Sequence, residues 1–426
     1  MPSGMPWPER SVVSLRQEFV LKVLAQEESM IALCRQFGIS RKTGYKWLRR
    51  FEKRGVAGLA DGSKKPHTSP LKTSMAMVEQ VIRLRTQHPT WGPKKLTRIL
   101  EREHGAGAPS RKTVERVLRE AGLILRRRRR PGSPFAAAEA PSFVVEQPND
   151  LWTVDFKGWW RTQDHRRCDP LTIRDAHSRY LLGVRTLWRT GQDAVRPVFE
   201  QLFRRHGLPR AIQSDNGPPF ANALALRGLT ALSAWWVSLG IELVRSRPGC
   251  PQDNGGHERM HLDLSGEVQP RPAETITAQQ RRCDEWTAEF NHVRPHEAIG
   301  LRTPAELYRP SPRPYPPPAF SYPAHWQTAV ADHKGAIKQR ALTVHVVRAV
   351  AGLTLGLEPH GPFLFVWLRH LLLGHFLPER DRSVQAGTPL ACPDCHPECH
   401  PQPVIQAAME TGPSPGAAES EAQVLW

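Results

Sequence analysis

The apolar residues of this chain change their period once, and the change rules out a single uniform fold. As far as residue 124 they recur at three- and four-residue steps, the mark of amphipathic helices. From Leu151 they come in short strand-like runs separated by turn residues. Between the two regimes stand five consecutive arginines, Arg126 to Arg130, then Pro131-Gly132-Ser133-Pro134 and an alanine-rich stretch. At 426 residues the chain exceeds one ordinary core, and length alone predicts two to four domains. The fold class that follows is multidomain, α in front and mixed α/β behind.

Charge divides at the same place. Residues 1–130 hold 29 Lys+Arg against 11 Asp+Glu, and the remainder holds 30 of each, so the whole net charge of +18 lies in the first third. A basic front end on a neutral body is the electrostatic footprint of nucleic-acid binding. Within it, apolar steps at Leu15, Phe19 and Val23 predict a first helix. Ser29 caps a second, carrying Ile31, Leu33 and Phe37. Gly38 turns the chain, and Ser40 caps a third helix that opens Arg41-Lys42-Thr43. Helix, glycine turn and capped basic helix make a helix-turn-helix over residues 10–60. Its third helix offers Arg41, Lys42, Lys46, Arg49 and Arg50 to DNA, with Tyr45, Trp47 and Leu48 as the apolar part. Ser40-Arg41-Lys42-Thr43 recurs as Ser110-Arg111-Lys112-Thr113. This predicts a second unit of the same kind over 75–124, with Arg111 and Lys112 as its DNA contacts. Residues 125–148 read as a basic linker that grips phosphates.

Behind the linker, strands are expected at Leu151–Trp160, Pro170–Arg174, Tyr180–Leu187, Arg210–Gln213 and Ile241–Arg245. Helices are expected at Asp193–His206, Leu224–Leu239, Gly256–Val268 and Ala278–His292. Together they form a mixed α/β domain over residues 149–309. Pro310–Pro318 reads as an extended spacer, residues 325–380 as a small β domain, and 386–426 as a disordered tail. The tail holds Cys392, Cys395, His396, Cys399 and His400; lacking the second half of a paired CxxC site, the cluster is read as adventitious at most. The other cysteines, Cys34, Cys168, Cys250 and Cys283, have no framework spacing, which fits a reducing compartment. No apolar leader opens the chain and no apolar run approaches a membrane span. A soluble, cytoplasmic, nucleoid-associated protein is expected.

Three carboxylates stand where such a domain brings strand ends together. Asp155 interrupts the apolar run Trp152-Thr153-Val154-Asp155-Phe156, a costly place for a charge without a partner. Asp215 ends a strand in Ser214-Asp215-Asn216-Gly217. Glu258 follows Asp253-Asn254-Gly255-Gly256-His257 in the first turn of a predicted helix. Converging carboxylates bind hard cations, Mg²⁺ above all, and two such ions about 4 Å apart assist phosphodiester chemistry. His257 and His261, four residues apart on one helical face, are read as facing DNA or supporting the carboxylates rather than as zinc ligands. Asn291, His292, Arg294, Pro295 and His296 are read as packing plus a phosphate contact.

The stretches LWTVDFKGW, IQSDNGPPFAN, SRPGCPQDNGGHERMH and FNHVRPHEAIGLRTPAELY resemble the integrase-type core of bacterial insertion-sequence transposases, relatives of retroviral integrases. The resemblance spans about residues 10–375. It implies a ribonuclease-H-like catalytic core whose Asp-Asp-Glu metal triad falls on Asp155, Asp215 and Glu258. It further implies Mg²⁺ or Mn²⁺ as cofactor, duplex DNA as element ends and target, and self-association. Of the intervening residues, 59 separate the first two acids and 42 the last two, the second gap being longer than the usual 35. Asp253 competes for the third place, but its turn-forming context suits a helix cap better. The rival expectations are a non-catalytic helix-turn-helix regulator with an inert core and a simple metal nuclease.

Overall fold

The computed structural model describes residues 11–61, 73–124, 143–246 and 254–386. The arginine run, Asp253, Cys250 and the tail cluster lie outside them. The chain forms two units, divided between Lys72 and Thr73.

The first unit contains α1 (Val12–Leu24), α2 (Met30–Gln36) and α3 (Arg41–Arg54). Ser11, Ser29 and Ser40 each accept a backbone N–H three residues on; the caps at Ser29 and Ser40 are those expected from sequence, and the one at Ser11 is added by the structure. Phe19, Leu33, Trp47 and Leu59 fill its core. Gly44 lets α3 seat against its neighbours: a Cβ there would come within 2.9 Å of both Cys34 Sγ and Phe19 Cζ. Tyr45, expected on the apolar side, is 46% exposed, and the buried positions of α3 are Gly44 and Trp47.

The second unit begins with α4 (Met75–Gln87), α5 (Pro93–His104) and α6 (Arg111–Glu120). Ser110 caps α6 as Ser40 caps α3. Strands β1 (Leu151–Phe156), β2 (Trp160–Arg161), β3 (Arg167–Asp175) and β4 (Leu181–Leu187) follow, then α7 (Gln192–His206), β5 (Ala211–Ser214), α8 (Ala231–Ser238) and β6 (Glu242–Arg245). The sheet runs β3-β1-β5-β6, with β2 and β4 both paired to β3; β1 is antiparallel to β3 and parallel to β5, and β5 is parallel to β6. Three antiparallel strands continued by parallel ones make the ribonuclease-H-like integrase core. The helix expected from Leu224 starts only at Ala231. Gly228 takes φ +65° and Arg227 φ +55°, after which Thr230 and Ser233 close a capping box.

Alternation along β1 and β3 decides which side chains meet which helices. Trp152, Val154, Leu171 and Ile173 face Phe199 and Phe203 of α7 and Trp236 of α8. The opposite face is covered by α9 (Gly255–Glu267) and α10 (Ile276–His292), where Leu181 and Val184 of β4 pack with Met260, Leu264, Cys283, Trp286 and Phe290. Beyond the short α11 (Pro304–Leu307) come β7 (Gln327–Val330), β8 (Ala336–Gln339), β9 (Leu342–His345), β10 (Thr354–His360), β11 (Phe363–Leu368) and β12 (Leu371–Phe376). This is a β-rich C-terminal region of one four-stranded and one two-stranded sheet. Its Val344, Leu355, Val366 and Phe376 belong to the same apolar cluster as Trp236 and Phe220. The proline-rich segment before it is fastened rather than free. Ser311 Oγ donates to the Leu208 carbonyl at 2.6 Å, and Arg313 donates to the carbonyls of Pro209 and Gly240 at 2.5 and 2.6 Å.

Candidate active site

Asp155 sits near the end of β1, directly across from Thr172 of β3. Asp215 follows the last residue of the neighbouring β5, where its Oδ1 accepts the Gly217 N–H at 3.4 Å. Glu258 lies in the first turn of α9 and is exposed. The chain thus brings together strand, strand end and helix from three distant segments. Burial raises the pKa of Asp155 to about 6, and the negative charges of Asp215 and Glu258 push in the same direction. Burial also raises Asp215. Lys157 and Arg245 pull the other way on Asp155 and Asp215, but burial outweighs them.

One histidine beside Asp155 adds no counter-charge. Thr172 donates its hydroxyl proton to the Asp155 carbonyl at 2.8 Å. Its oxygen must therefore accept from Nε2 of His257 at 2.6 Å and Nε2 of His261 at 2.9 Å. With Nε2 protonated, Nδ1 of His257 accepts the Thr153 hydroxyl at 2.8 Å. Nδ1 of His261, 3.9 Å from Asp155 Oδ2, then presents a lone pair rather than a proton. Burial lowers the His261 pKa to about 4 and holds His257 well below its ordinary value, so both rings are neutral at physiological pH. His257 is fully buried. It does not face DNA; it clamps α9 to β1 and β3. No sequence signal announced Thr153 and Thr172, which become partners only through strand pairing.

Arginines define the rest of the surround. Arg245 lies opposite Ser214 in the β5–β6 ladder, donates to Ser214 Oγ at 2.6 Å and has its pKa lowered to about 10 by burial, with Asp215 acting against the shift. The guanidiniums of Arg174 and Arg179 lie against Gly256, where any Cβ would collide with them. That explains one glycine of Asn254-Gly255-Gly256. The N-cap of α9 is Asn254, not Asp253, and its side chain makes no capping bond. Arg294, expected to touch phosphate, is wholly buried. It pairs with Asp263 Oδ2 at 3.3 Å, Glu289 Oε1 at 3.4 Å and, more closely, Glu267 Oε2.

Among the described residues no three His, Cys, Asp or Glu side chains stand close enough to grip a metal ion as they are. The donor chemistry nevertheless fits a hard divalent cation: three oxygen ligands, mutually repelling, beside neutral imidazoles.

Of the predicted DNA contacts, Arg41, Lys42, Lys46 and Arg49 on α3 are exposed, and Arg50 is half-buried over the Trp47 ring at 5.1 Å. Arg111 and Lys112 are exposed at the start of α6. No helix among the described residues is long and apolar enough to cross a membrane.

Helix-turn-helix units ahead of an integrase core define the class, and comparison with known proteins agrees. Residues 15–67 match a helix-turn-helix domain and 43–118 a homeodomain-like domain, while 145–251 and 239–304 match integrase core domains. The matches show helix-turn-helix and integrase core domains, and the chain is similar to proteins of insertion elements. It is similar to an uncharacterized 39.2 kDa protein of insertion element IS476 from Xanthomonas euvesicatoria, with 27% identity over 253 residues, 59% of this chain and 70% of that one. A 31.7 kDa protein of insertion element IS407 from Burkholderia multivorans is 25% identical over 253 residues, 59% of this chain and 87% of that one. Among solved structures, the simian T-cell lymphotropic virus intasome covers 59% of this chain and 82% of its own at 17% identity and a TM-score of 0.33, a likeness on which nothing below rests.

Proposed function

We propose that this protein cuts and joins DNA: it binds the terminal inverted repeats of its element, nicks them with water, and uses the freed 3′-hydroxyl to attack target DNA. Asp155, Asp215 and Glu258 are the residues that would hold Mg²⁺ or Mn²⁺. The observation that carries the reading is the convergence of three carboxylates from β1, the end of β5 and α9: Asp155 is buried and raised, and Asp215 and Glu258 push it the same way, with Lys157 last among the opposing influences. Divalent cations held by these three carboxylates would supply the Lewis-acid chemistry that phosphodiester cleavage by water needs at neutral pH.

The chain's own residues supply position and electrostatics. The His257 clamp fixes the first turn of α9, and therefore Glu258, relative to β1. Neutral His261 leaves the charge of Asp155 free for a ligand. The exposed basic edges of α3 and α6 grip duplex DNA, phosphate contacts fixing register and base contacts selecting the ends. Bridging two ends calls for more than one copy of the chain.

The test uses duplex and pre-nicked end DNA with Mg²⁺. Glu258→Gln should abolish cleavage and joining while DNA binding is retained, and Asp253→Asn should keep much of the activity. An active Glu258→Gln with a dead Asp253→Asn would move the triad. Binding without any metal-dependent cutting by the unaltered protein would favour the regulator, and cutting without joining the simple nuclease. In a parallel melt, Mg²⁺ should raise the Tm of the unaltered protein by mass action and leave Asp155→Asn where it was.

A further inference from the structure

The α4–α6 helices pack against α10, the segments that follow it and the end of α9, the helix that carries Glu258. Lys94 Nζ of α5 pairs with Glu297 Oε2 at 2.6 Å, and Arg102 Nη2 with Glu306 Oε1 at 2.6 Å. His88 Nδ1 lies 3.5 Å from Glu289 Oε1 of α10, and Thr90 donates to Glu267 at the end of α9. At the centre the Arg294 guanidinium lies 5.6 Å from the Trp91 ring centroid. Its partner Asp263 is shared with Arg259 at 3.3 Å, and Arg259 is the residue after Glu258.

Lys95, half-buried, follows Lys94 in the first turn of α5. Its electrostatic neighbours are Arg294 and Arg259 together with Asp263 and Glu267. Both nearby carboxylates are already held, Asp263 by Arg259 and Arg294, and Glu267 by Arg294, Trp286 and Thr90. Among the described residues no carboxylate lies within ion-pair distance of Lys95. Burial, then Arg294, lowers its pKa, as expected of an ammonium with more cations than free anions around it. Arg111, exposed at the start of α6, acts electrostatically on Glu297, the partner of Lys94. Lys95 acts on Glu297 as well, and Lys95 and Arg259 act on one another, Arg259 standing next in sequence to Glu258.

We infer that Lys95 and Arg259 bind a backbone phosphate of the DNA held by α6, so that one and the same copy of the chain grips an end and leads it to Glu258. The inference rests on the reading of Asp155, Asp215 and Glu258 as the cutting centre. Lys94 is occupied by Glu297 and fixes this packing; Lys95 has its charge to spare. A duplex phosphate would satisfy the ammonium and return its pKa upward.

The test measures binding of the full chain to a duplex carrying the element's end, in a Glu258→Gln background so that cleavage plays no part. Lys95→Gln should weaken binding roughly three- to tenfold at low salt and flatten the log–log salt dependence by about 0.9, the loss of one phosphate contact. Lys95→Arg should restore both. Ethylation interference should lose one phosphate, lying between the α6 footprint and the cut position. Unchanged salt slope and interference pattern in Lys95→Gln would overturn the inference. So would an equal loss in Lys95→Arg accompanied by a lowered Tm, because that is the behaviour of a packing residue. If the unaltered protein never cuts DNA but Lys95→Gln behaves as stated, the catalytic reading fails and the phosphate contact stands.

Discussion

Replacing His206 by leucine should stabilise the protein most where the solution is mildly acidic. His206 ends α7 with 5% of its surface exposed, and neither ring nitrogen has a hydrogen-bond partner among the described residues. Its neighbours are the rings of Trp152, Tyr180 and Tyr308, at centroid distances of 6.5, 6.2 and 5.7 Å. Burial, aided by Arg205, lowers its pKa from 6.5 to about 4. The unfolded chain therefore binds a proton between those values that the folded chain refuses. Stability contributed by the neutral ring is complete above pH 6.5 and is lost as the pH falls toward 4. Between pH 7.5 and 5 the loss amounts to about 2 kcal/mol, from 1.36 kcal/mol per pH unit over the part of the window crossed. Leucine removes that loss and also the desolvation of two unpaired nitrogens, worth about 1–3 kcal/mol. Thermal melts of both proteins at pH 7.5 and pH 5 check this. The variant should melt higher at each pH, by about 2–4 °C per kcal/mol, and the gap should widen at pH 5. Other buried histidines contribute equally to both proteins and cancel in the difference. A constant gap, or a lower Tm for the variant at pH 7.5, would refute the argument.

Gly44→Leu should cost the first unit roughly 1–3 kcal/mol or more, since its side chain must enter space held by Phe19 and Cys34; a lowered Tm and weakened end binding are the readouts. Arg41→Ala with Lys46→Ala in the full chain should weaken DNA binding by roughly 1–3 kcal/mol for a lost base pair contact and flatten its salt dependence for lost phosphates, as titrations at two or more salt concentrations would reveal. Deleting residues 386–426 should leave cleavage and joining intact, and elemental analysis should find no stoichiometric zinc; a dead truncation or one zinc per chain would contradict the expectation.

Local chemistry was legible in the sequence because it acts over three or four residues. Ser40 and Ser110 announced their helices, since a hydroxyl can satisfy a backbone N–H three residues on wherever the chain lies. The three candidate carboxylates were legible too, because a charge inside an apolar strand and an acid before a glycine turn are anomalies of composition, not of contact. Tertiary pairing decided everything that depends on who stands opposite. Thr172 meets Asp155, His257 and His261 only because β3 lies beside β1 and α9 crosses both. Arg245 reaches Ser214 only through the β5–β6 register. Arg294 read as a surface cation, yet three acids from α9 and α10 make its complete burial tolerable. Lys95 looks in sequence like any lysine on a basic helix. Its isolation exists only in the folded chain, where the neighbouring acids are already taken, because the energy of a charge depends on the distances to all others and sequence spacing encodes almost none of them.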